Sequence, residues 1–514
     1  MRPTLVHHFL ERSAARYPEK TALVCGDRRP TYTELLDRSL RLAAALRELG
    51  LQRHDRAVVF CDNSVEAAVA FFGILAAGGV VVMLNPGMKA RKLAYILGDS
   101  GARILIAAAG HARVVREAAA ESRSVRRIVW IGDAPPTGDA DTTAASAWDA
   151  LLAAPPLSAP VRAIDVDLAA VIYTSGSTGE PKGVMSTHAN MAAAARSISA
   201  YLENTPDDIV LDTLPLSFDY GLYQLLMVCL FGGTLVLEPS FAYPVRVLER
   251  LAAERVTGFP IVPTVAALLL QMKDLARFDL GSLRYITNTA AALPVAHIRR
   301  LIELFPRVRI YSMYGLTECK RVAYMPPERL AERPGSVGIP MPNCEVFVVD
   351  EEGREVGPGE VGELVVRGAN VMQGYWNRPQ ESAGRFREGR WRADVRLYSG
   401  DLFRRDGEGY LYFVARKDDM IKTKGERVSP KEIENALCEM DGIAEAAVVG
   451  VPDDLLGQAV KAYVIASGAA PPSEATVLAH CRRHLEAFMI PREVEFRETF
   501  PRTATGKIDK KLLR

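Results

Sequence analysis

The sequence has almost no net charge. Its 63 Lys and Arg residues are balanced by 62 Asp and Glu residues, which leaves a formal charge of +1 over 514 residues. Without an overall field of one sign, no long-range attraction draws the chain to nucleic acid or to an anionic membrane. We therefore expect neither as a partner, and any anionic ligand must be held by a local site.

Cysteine is sparse and unpaired in spacing. The seven cysteines are scattered through the chain and form no CxxC pair. This usage argues against a disulfide framework or a zinc site and is typical of a reducing compartment. The N-terminal stretch from Met1 to Arg12 has too short an apolar core for a signal peptide. We expect a cytoplasmic protein.

Long hydrophobic runs are also scarce. One uncharged segment, Ala67–Leu84, just reaches the length of a membrane span. Gly78 and Gly79 divide it into an Ala-, Phe- and Leu-containing part and the β-branched run Val80–Val82. The segment is therefore better explained by a buried helix followed by a buried strand.

Apolar strands alternate with amphipathic helices over the first 165 residues, which predicts a parallel sheet covered on both faces. The predicted strands are Ala22–Cys25, Ala57–Cys61, Val80–Leu84, Arg103–Ala107 and Arg127–Ile131, and the helices are Glu34–Gly50, Val65–Ala77 and Ala90–Leu97. Ala134–Pro160 is rich in Pro, Ala, Asp and Thr and predicts an exposed connection. A second α/β series runs from about Ala169 to Pro340.

The sequence pattern changes after Asn343. Short strands separated by glycines predict a small, β-barrel-like unit: Glu345–Val349, Gly362–Arg367 and Tyr410–Phe413. The last hundred residues predict a small α+β module whose first helix is capped by Ser429 and has Pro430 in its first turn. The fold class is therefore α/β, with two α/β subdomains, the small β unit and a separate C-terminal module.

The segment Tyr173–Gly183 reads Tyr-Thr-Ser-Gly-Ser-Thr-Gly-Glu-Pro-Lys-Gly and follows an apolar run. Glycines let successive backbone N–H groups converge on an anion. Hydroxyl groups add donors, and Lys182 adds a point charge suited to phosphate. The spacing differs from a Walker loop. We interpret the segment as a triphosphate-binding loop; the alternative is an ordinary surface loop.

Four further segments are weak signals when taken singly. They are Tyr314-Gly-Leu-Thr-Glu318, Tyr398-Ser-Gly-Asp-Leu402, the charged joint Arg416–Glu434 and Pro501-Arg-Thr-Ala-Thr-Gly-Lys507. An aromatic ring, a hydroxyl and a carboxylate at a strand end suit a nucleotide with Mg²⁺. Each segment also has an ordinary structural explanation. The first could be a hydrogen-bonded turn, the second an aspartate that closes a turn, the third a solvated linker and the fourth a surface lysine.

In this order, the five motifs resemble the AMP-forming adenylate ligases, which include acyl- and aryl-CoA synthetases, peptide-synthetase adenylation domains and firefly luciferase. The resemblance implies an N-terminal AMP-binding domain, residues 1–415, and a mobile C-terminal catalytic domain, residues 416–514. It also implies ATP and Mg²⁺ as cofactors, a carboxylic or amino acid as substrate, and a thiol acceptor. The thiol belongs to CoA or to the phosphopantetheine of a separate acyl or peptidyl carrier protein.

The resemblance assigns roles to individual residues. It implies that Tyr314 and Asn288 lie near adenine, that Asp401, with Arg416 close by, binds the ribose, and that the phosphates are held by Thr174, Ser175, Gly176, Ser177, Thr178, Gly179 and Lys182. For the reaction, it implies that Thr317 contacts the α-phosphate, that Glu318 ligates Mg²⁺, and that Lys507 bridges the acid and the α-phosphate. For the movement of the C-terminal domain, it implies Asp418 as the hinge and Lys424 and Gly425 at the border of the thiol tunnel. The chain departs from the family at Asn288–Leu293, where relatives carry a glycine-rich turn.

The acid pocket is expected to involve Phe218, Asp219, Tyr220, Tyr223 and Met313. Asp219 occupies the position at which amino-acid-activating relatives bind the substrate ammonium, although it also fits as the cap of a helix starting at Tyr220.

Lys320 and Arg321 either meet a second anion, on the acid or on pantetheine, or lie on the solvated surface. The joint Lys424–Pro430 is more typical of CoA ligases than of amino-acid adenylation enzymes. A luciferase-like oxygenase, a nucleotide sensor and a homodimeric assembly all stay open.

Overall fold

The computed structural model describes residues 4–133, 143–158, 161–175, 180–272, 274–391, 394–423, 426–453, 457–467, 471–503 and 507–513. The N-terminal part contains α1 (His8–Arg16), β1 (Leu23–Cys25), α2 (Tyr32–Glu48), β2 (Arg56–Phe60), α3 (Val65–Ala76), β3 (Val80–Leu84), α4 (Ala90–Ser100), β4 (Ile104–Ala108), α5 (Ala112–Glu121), β5 (Arg127–Ile131), β6 (Ala144–Ala147) and α6 (Trp148–Leu152).

The middle of the chain adds β7 (Leu168–Ser175), β8 (Pro181–Thr187), α7 (His188–Tyr201), β9 (Ile209–Asp212), α8 (Asp219–Phe231), β10 (Thr234–Leu237), α9 (Pro244–Ala253), β11 (Gly258–Ile261), α10 (Pro263–Gln271), β12 (Tyr285–Asn288), α11 (Val295–Leu304), β13 (Arg309–Tyr314), β14 (Ala323–Tyr324) and β15 (Ile339–Pro340).

The rest of the chain forms β16 (Cys344–Val349), β17 (Val361–Gly368), α12 (Pro379–Arg385), β18 (Phe386–Glu388), β19 (Val395–Arg405), β20 (Leu411–Arg416), β21 (Ile421–Thr423), β22 (Glu426–Val428), α13 (Pro430–Cys438), β23 (Ile443–Asp453), β24 (Gly457–Ala466), α14 (Glu474–His484) and β25 (Glu493–Phe496).

Two large sheets form the body of the molecule. The first has the strand order β6-β5-β4-β2-β3-β7-β8 and the second the order β1-β10-β9-β11-β12-β13-β14-β15. Most neighbours are parallel; β7–β8, β13–β14 and β14–β15 are antiparallel. A shared core of aliphatic and aromatic side chains from both series fuses the two units, as expected for parallel strands buried on both faces.

The two units exchange strands in a way that the sequence analysis did not predict. β1, near the N-terminus, pairs with β10 of the second series, and β7 pairs with β3 of the first. Residues 134–160 were expected to form an exposed connection. The described part of that segment instead adds β6 to the sheet edge and carries the buried Trp148 in α6. Its Ala- and Ser-rich strand lacks the β-branched residues that would have revealed it.

The remaining sheets are smaller. β16, β17, β18, β19 and β20 form an antiparallel sheet, and β21–β25 form the C-terminal sheet, against which α13 and α14 pack. Ser429 caps α13 as predicted, and its Oγ also donates to the Val414 carbonyl oxygen, which ties the module to β20. The boundary between residues 415 and 416 falls within β20 and stays a prediction.

The segment Ala67–Leu84 forms most of α3 and all of β3, as predicted. Its side chains lie almost entirely within the protein core. Among the described residues, no helix combines the length and apolar character needed to cross a bilayer.

Candidate active site

The predicted phosphate loop is the turn of the β7–β8 hairpin. Tyr173 is paired with Gly183 and Thr174 with Lys182, so the loop leaves the sheet edge from two fixed ends. A Cβ at Gly183 would lie 2.5 Å from Val171 Cγ1, which explains why this strand position has no side chain. Gly176, Ser177, Thr178 and Gly179, together with the Ser175 side chain, lie outside the described residues.

Lys182 lies beside two residues that the sequence analysis missed. Its ammonium group forms an ion pair with Glu381 and lies 5.8 Å from the centroid of the Tyr375 ring. The Tyr375 hydroxyl donates to Glu318 Oε1 over 2.6 Å. Tyr375 thus joins the phosphate lysine to the predicted metal ligand. Gly374 has a φ of 116°, which marks the tight turn before Tyr375.

Glu318 and Thr317 lie in the turn after β13, and both are half-buried. The Met372 backbone N–H donates to the Glu318 carbonyl oxygen over 2.9 Å, so the turn is anchored to the segment that carries Tyr375. A single protein carboxylate completed by substrate phosphates is a common Mg²⁺ arrangement. With one oxygen on Tyr375, the Glu318 carboxylate has a second oxygen for such an ion.

The ribose residues come together across two sheets. Tyr314, at the end of β13, donates its hydroxyl to Asp401 Oδ2 over 2.6 Å, and Asp401 Oδ1 lies 3.3 Å from Arg416 Nε. Asp401 and Arg416 are also register partners in β19 and β20. Burial raises the pKa of Asp401, and Arg416 and the Tyr314 hydroxyl oppose that shift. The Tyr314 ring packs against Phe403, with centroids 4.8 Å apart.

The turn that departs from the family keeps a glycine-like backbone. Ala290 has a φ of 78°, in the left-handed region that residues with a Cβ rarely adopt. Asn288 is fully buried at the end of β12, and its Nδ2 donates to the Ala291 carbonyl oxygen over 3.2 Å. The amide that was expected to face adenine therefore helps to close the turn.

Lys507 reaches the same cleft from the C-terminal module. Its side chain is exposed, although charged groups of the large body lie close enough to affect its pKa. Burial lowers the pKa of Lys507, while the carboxylates of Asp219, Asp401 and Glu318 act in the opposite direction and Arg416 reinforces the lowering. Residues far apart in sequence thus share one electrostatic site.

Asp219 is the first residue of α8 and does not cap it. The N-cap position belongs to Phe218, and no side chain caps this end. The helix-cap interpretation of Asp219 is therefore wrong. Instead, its carboxylate is buried and lies 3.7 Å from the ammonium group of Lys320. Burial lowers the pKa of Lys320 to about 7, and Asp219 opposes that shift.

Lys320 and Arg321 are 3% and 1% exposed, so the solvated-surface interpretation is also wrong. The Lys320 ammonium group lies 4.5 Å from the Tyr223 ring centroid and 5.4 Å from that of Tyr220. Charge, rather than aliphatic surface, therefore occupies this part of the predicted acid pocket.

The other predicted pocket residues surround this charged cluster. The Tyr220 hydroxyl is hydrogen-bonded to Thr287 Oγ1 over 2.6 Å, and the Phe218 ring meets Tyr220 edge-on. Met313 is buried, with its sulfur 3.0 Å from the Tyr201 hydroxyl. Tyr223 is buried in α8. Phe218, Asp219, Tyr220 and Tyr223 thus lie together around α8, whereas Met313 contacts Tyr201.

The predicted hinge residue, Asp418, is exposed in the turn between β20 and β21. Lys424 and Gly425, expected at the thiol tunnel, lie outside the described residues. The C-terminal module contacts the large body through Lys431, whose ammonium group donates to the Ala292 carbonyl oxygen over 3.4 Å.

Known proteins share this architecture over its full length. Residues 10–376 match the AMP-binding enzyme family, and residues 432–507 match the AMP-binding enzyme C-terminal domain. The chain is 32% identical over 529 residues to a long-chain-fatty-acid–CoA ligase of Bacillus subtilis (strain 168), covering 97% of this chain and 92% of that one.

Two solved structures superpose closely on the chain. An anthranilate CoA ligase in complex with anthranoyl-AMP has a TM-score of 0.91 at 29% identity, with 99% of this chain and 96% of that one covered. A benzoate CoA ligase from Burkholderia xenovorans LB400 has a TM-score of 0.88 at 30% identity, with 99% of each chain covered. The predicted fold class is confirmed, and the chain belongs to the AMP-binding enzyme family of AMP-forming acid–thiol ligases.

Proposed function

We propose that the enzyme activates a short or aromatic carboxylic acid bearing polar groups and transfers it to CoA. The carrying observation is the set of contacts at the nucleotide site: Tyr375 lies beside Lys182 and donates to Glu318, and Tyr314 donates to Asp401. Lys507 of the C-terminal module interacts electrostatically with the carboxylates of this site. The cleft combines a mobile lysine with a nucleotide site and a polar acid pocket. These are the parts that adenylation of a polar acid requires.

In the first half-reaction, an oxygen of the substrate carboxylate attacks the α-phosphorus of ATP. A new O–P bond forms, the bond to the β-phosphate oxygen breaks, and pyrophosphate leaves. The attack brings two anions together, so charge stabilisation and positioning dominate the barrier. The ammonium group of Lys507 bridges the carboxylate and the α-phosphate, and Thr317 donates its hydroxyl to the same phosphate.

ATP is positioned by residues of three sheets. Lys182 and the β7–β8 turn hold the β- and γ-phosphates, and Tyr375 and Glu381 orient Lys182. Asp401 accepts the ribose hydroxyls through Oδ1, which has no hydrogen-bond partner among the described residues. Mg²⁺ held by Glu318 would neutralise phosphate charge.

The acid pocket supports a polar substrate rather than a long alkyl chain. Asp219, Lys320 and Arg321 are buried there, and buried charges beside an alkyl chain are costly. The alternative of an amino-acid substrate has less support from the structure than from the sequence. Lys320 already supplies a cation beside Asp219, so a substrate ammonium would have to compete with it.

In the second half-reaction, the thiol sulfur attacks the acyl carbon of the adenylate, the new C–S bond forms, and AMP leaves with the anhydride oxygen. We infer that the C-terminal module rotates about Asp418 for this step, which brings Lys424 and Gly425 to the thiol tunnel. CoA is the proposed acceptor, and a carrier protein is the competing result of the acceptor trial.

The test is ATP–pyrophosphate exchange with aryl, dicarboxylic, amino and fatty acids, followed by thioester formation with CoA or a holo-carrier protein. Lys507→Ala should reduce acid-dependent exchange about 100- to 1,000-fold, because the bridging charge is lost. A preformed acyl-AMP should still be converted to thioester at a near wild-type rate. Lys461→Ala is the control, since this lysine of the same module is paired with Glu493 and Glu495.

Exchange at the wild-type rate in Lys507→Ala would refute the role given to Lys507. If no acid supports exchange with the wild-type enzyme, the proposed activity itself is wrong. Exchange with palmitate alone would refute the polar-acid assignment while leaving the reaction type intact.

A further inference from the structure

We propose that the substrate of this enzyme carries a second carboxylate, and that Arg321, which packs against the ring of the predicted pocket residue Tyr220, binds it. The inference rests on the proposed function and names the class of acid: a dicarboxylate activated at one end only.

Arg321 is a buried cation without a sufficient partner. It is 1% exposed, and its Nε and Nη1 have no hydrogen-bond partner among the described residues. A guanidinium group stays protonated in proteins, so it cannot escape burial by losing its charge. Burying a charge without a compensating anion is strongly unfavourable. A site of this kind is compensated when an anionic ligand enters.

The neighbouring acidic groups do not fill this need. The charge of Asp219 is shared with Lys320, 3.7 Å away. Asp212, fully buried at the end of β9, accepts from the Leu214 N–H through Oδ1, and its Oδ2 has no partner among the described residues. Burial raises the pKa of Asp212 well above its usual value, which favours the protonated form of this carboxyl. Among the described residues, Arg321 thus has no carboxylate partner; its side chain contacts the Tyr201 hydroxyl and the Tyr220 ring.

Aromatic rings compensate only part of that charge. The Arg321 Cζ atom lies 5.4 Å from the centroid of the Tyr220 ring. A cation–π contact attracts the charge to the face of the ring but leaves the N–H donors of the guanidinium group unpaired. Two parallel N–H···O bonds from a guanidinium to a carboxylate are stronger and geometrically specific. The planar fork of Arg321 therefore suits a carboxylate better than it suits the present ring contact.

The position of Arg321 matches the far end of an acid held by Lys507. Asp219 acts electrostatically on Lys507 at the reacting end. Tyr220, next to Asp219 in α8, is fixed by its hydrogen bond to Thr287 and carries Arg321 against its ring. The proposal requires that an acid whose reacting carboxylate is at Lys507 extends past Asp219 toward Arg321.

Access requires one side chain to move. The guanidinium is closed off from solvent. Tyr223 borders the same cluster, and its hydroxyl has no hydrogen-bond partner among the described residues. Tyr220, by contrast, is held by Thr287. We infer that the Tyr223 ring turns aside when the second carboxylate enters, and that its hydroxyl then donates to that carboxylate.

The experiment compares each diacid with its own monomethyl ester, which has nearly the same shape and lacks the second charge. The pairs are glutarate, adipate, isophthalate and terephthalate with their monoesters, assayed by ATP–pyrophosphate exchange. For the preferred length, the wild-type enzyme should show a kcat/KM at least about 10-fold higher for the diacid than for the ester. This factor corresponds to one charge-assisted hydrogen bond.

Arg321→Met should abolish that ratio by lowering kcat/KM for the diacid to about the value for the monoester. Arg321→Lys should restore part of the ratio, because charge remains and the fork is lost. Arg396→Met is the matched control, because Arg396 in β19 also has an unpartnered Nε but lies in the antiparallel sheet. It should leave the ratio unchanged.

Thermal unfolding separates binding from folding. If Arg321 only supports the fold, Arg321→Met lowers the Tm and affects both acids equally, and this result overturns the proposal. If Arg321 binds the substrate, the Tm of Arg321→Met is at least that of wild type, because a buried excess charge is removed. A ratio near 1 in an active wild-type enzyme also overturns it. Absence of exchange with every acid refutes instead the proposed function.

Discussion

Replacing Tyr375 with phenylalanine isolates one hydrogen bond at the predicted metal ligand. The substitution removes the hydroxyl that donates to Glu318 Oε1 over 2.6 Å and keeps the ring that faces Lys182. A hydrogen bond to a charged group contributes about 1.5–3 kcal/mol, and 1.4 kcal/mol corresponds to a factor of about ten. We therefore expect kcat/KM for ATP to fall about 10- to 100-fold.

The assay is ATP–pyrophosphate exchange over a range of Mg²⁺ concentrations. A freed Glu318 carboxylate should be less well oriented, so Tyr375→Phe should need more Mg²⁺ for half-maximal exchange, while the KM for the acid stays within about 2-fold. Orientation of a ligating carboxylate by a neighbouring donor typically changes metal affinity or activity about 10- to 100-fold.

The matched control is Tyr173→Phe, which removes a hydroxyl that donates over the same 2.6 Å to a different carboxylate, that of Asp99. This variant should keep the wild-type Mg²⁺ dependence. The reasoning is refuted if both variants shift the Mg²⁺ dependence equally, or if Tyr375→Phe lowers activity with no change in that dependence.

Two further predictions concern stability. Ala290→Gly should raise the free energy of unfolding by about 0.5–1 kcal/mol. A left-handed φ costs a residue with a Cβ about 1–2 kcal/mol, and glycine relieves this strain but loses part of the gain to its greater backbone entropy in the unfolded chain. Denaturant midpoints measure the change, with Ala291→Gly as the destabilising control. Burial and the neighbouring His188 lower the pKa of His7 to about 3, so the unfolded chain binds the extra proton below pH 6.5. Wild type should therefore lose about 2 kcal/mol between pH 8 and pH 5 from this group, and His7→Gln, unlike His484→Gln, should remove that loss; equal pH profiles for the three proteins would contradict the assignment.

Local patterns were sufficient for many elements. The strands Val80–Leu84 and Arg127–Ile131 have the predicted bounds, because each is a short apolar or β-branched run between clear breakers. The division of Ala67–Leu84 into helix and strand was also visible in the sequence. Which strands are neighbours was not, since the pairing of β1 with β10 depends on contacts more than 200 residues apart.

The same contrast holds for the candidate site. The motifs at Tyr314–Glu318, Asp401 and Lys507 pointed to a nucleotide site because their residue types suit phosphate, ribose and metal. Tyr375 and Glu381 escaped notice, since neither stands in a recognisable spacing, and only the fold places them beside Lys182 and Glu318. Their roles depend on distances that a linear pattern does not contain.

The sequence by itself determined the family, the order of its domains and the chemistry of the reaction, because these follow from ordered motifs whose residue types suit each step. The tertiary structure decided the character of the acid pocket. From the sequence, Asp219 fitted a helix cap and Lys320 and Arg321 fitted a solvated surface. Burial changes the meaning of these charges: a cation in water needs no partner, whereas a cation enclosed among tyrosine rings requires an anion. That difference is the basis of the proposed preference for a second carboxylate.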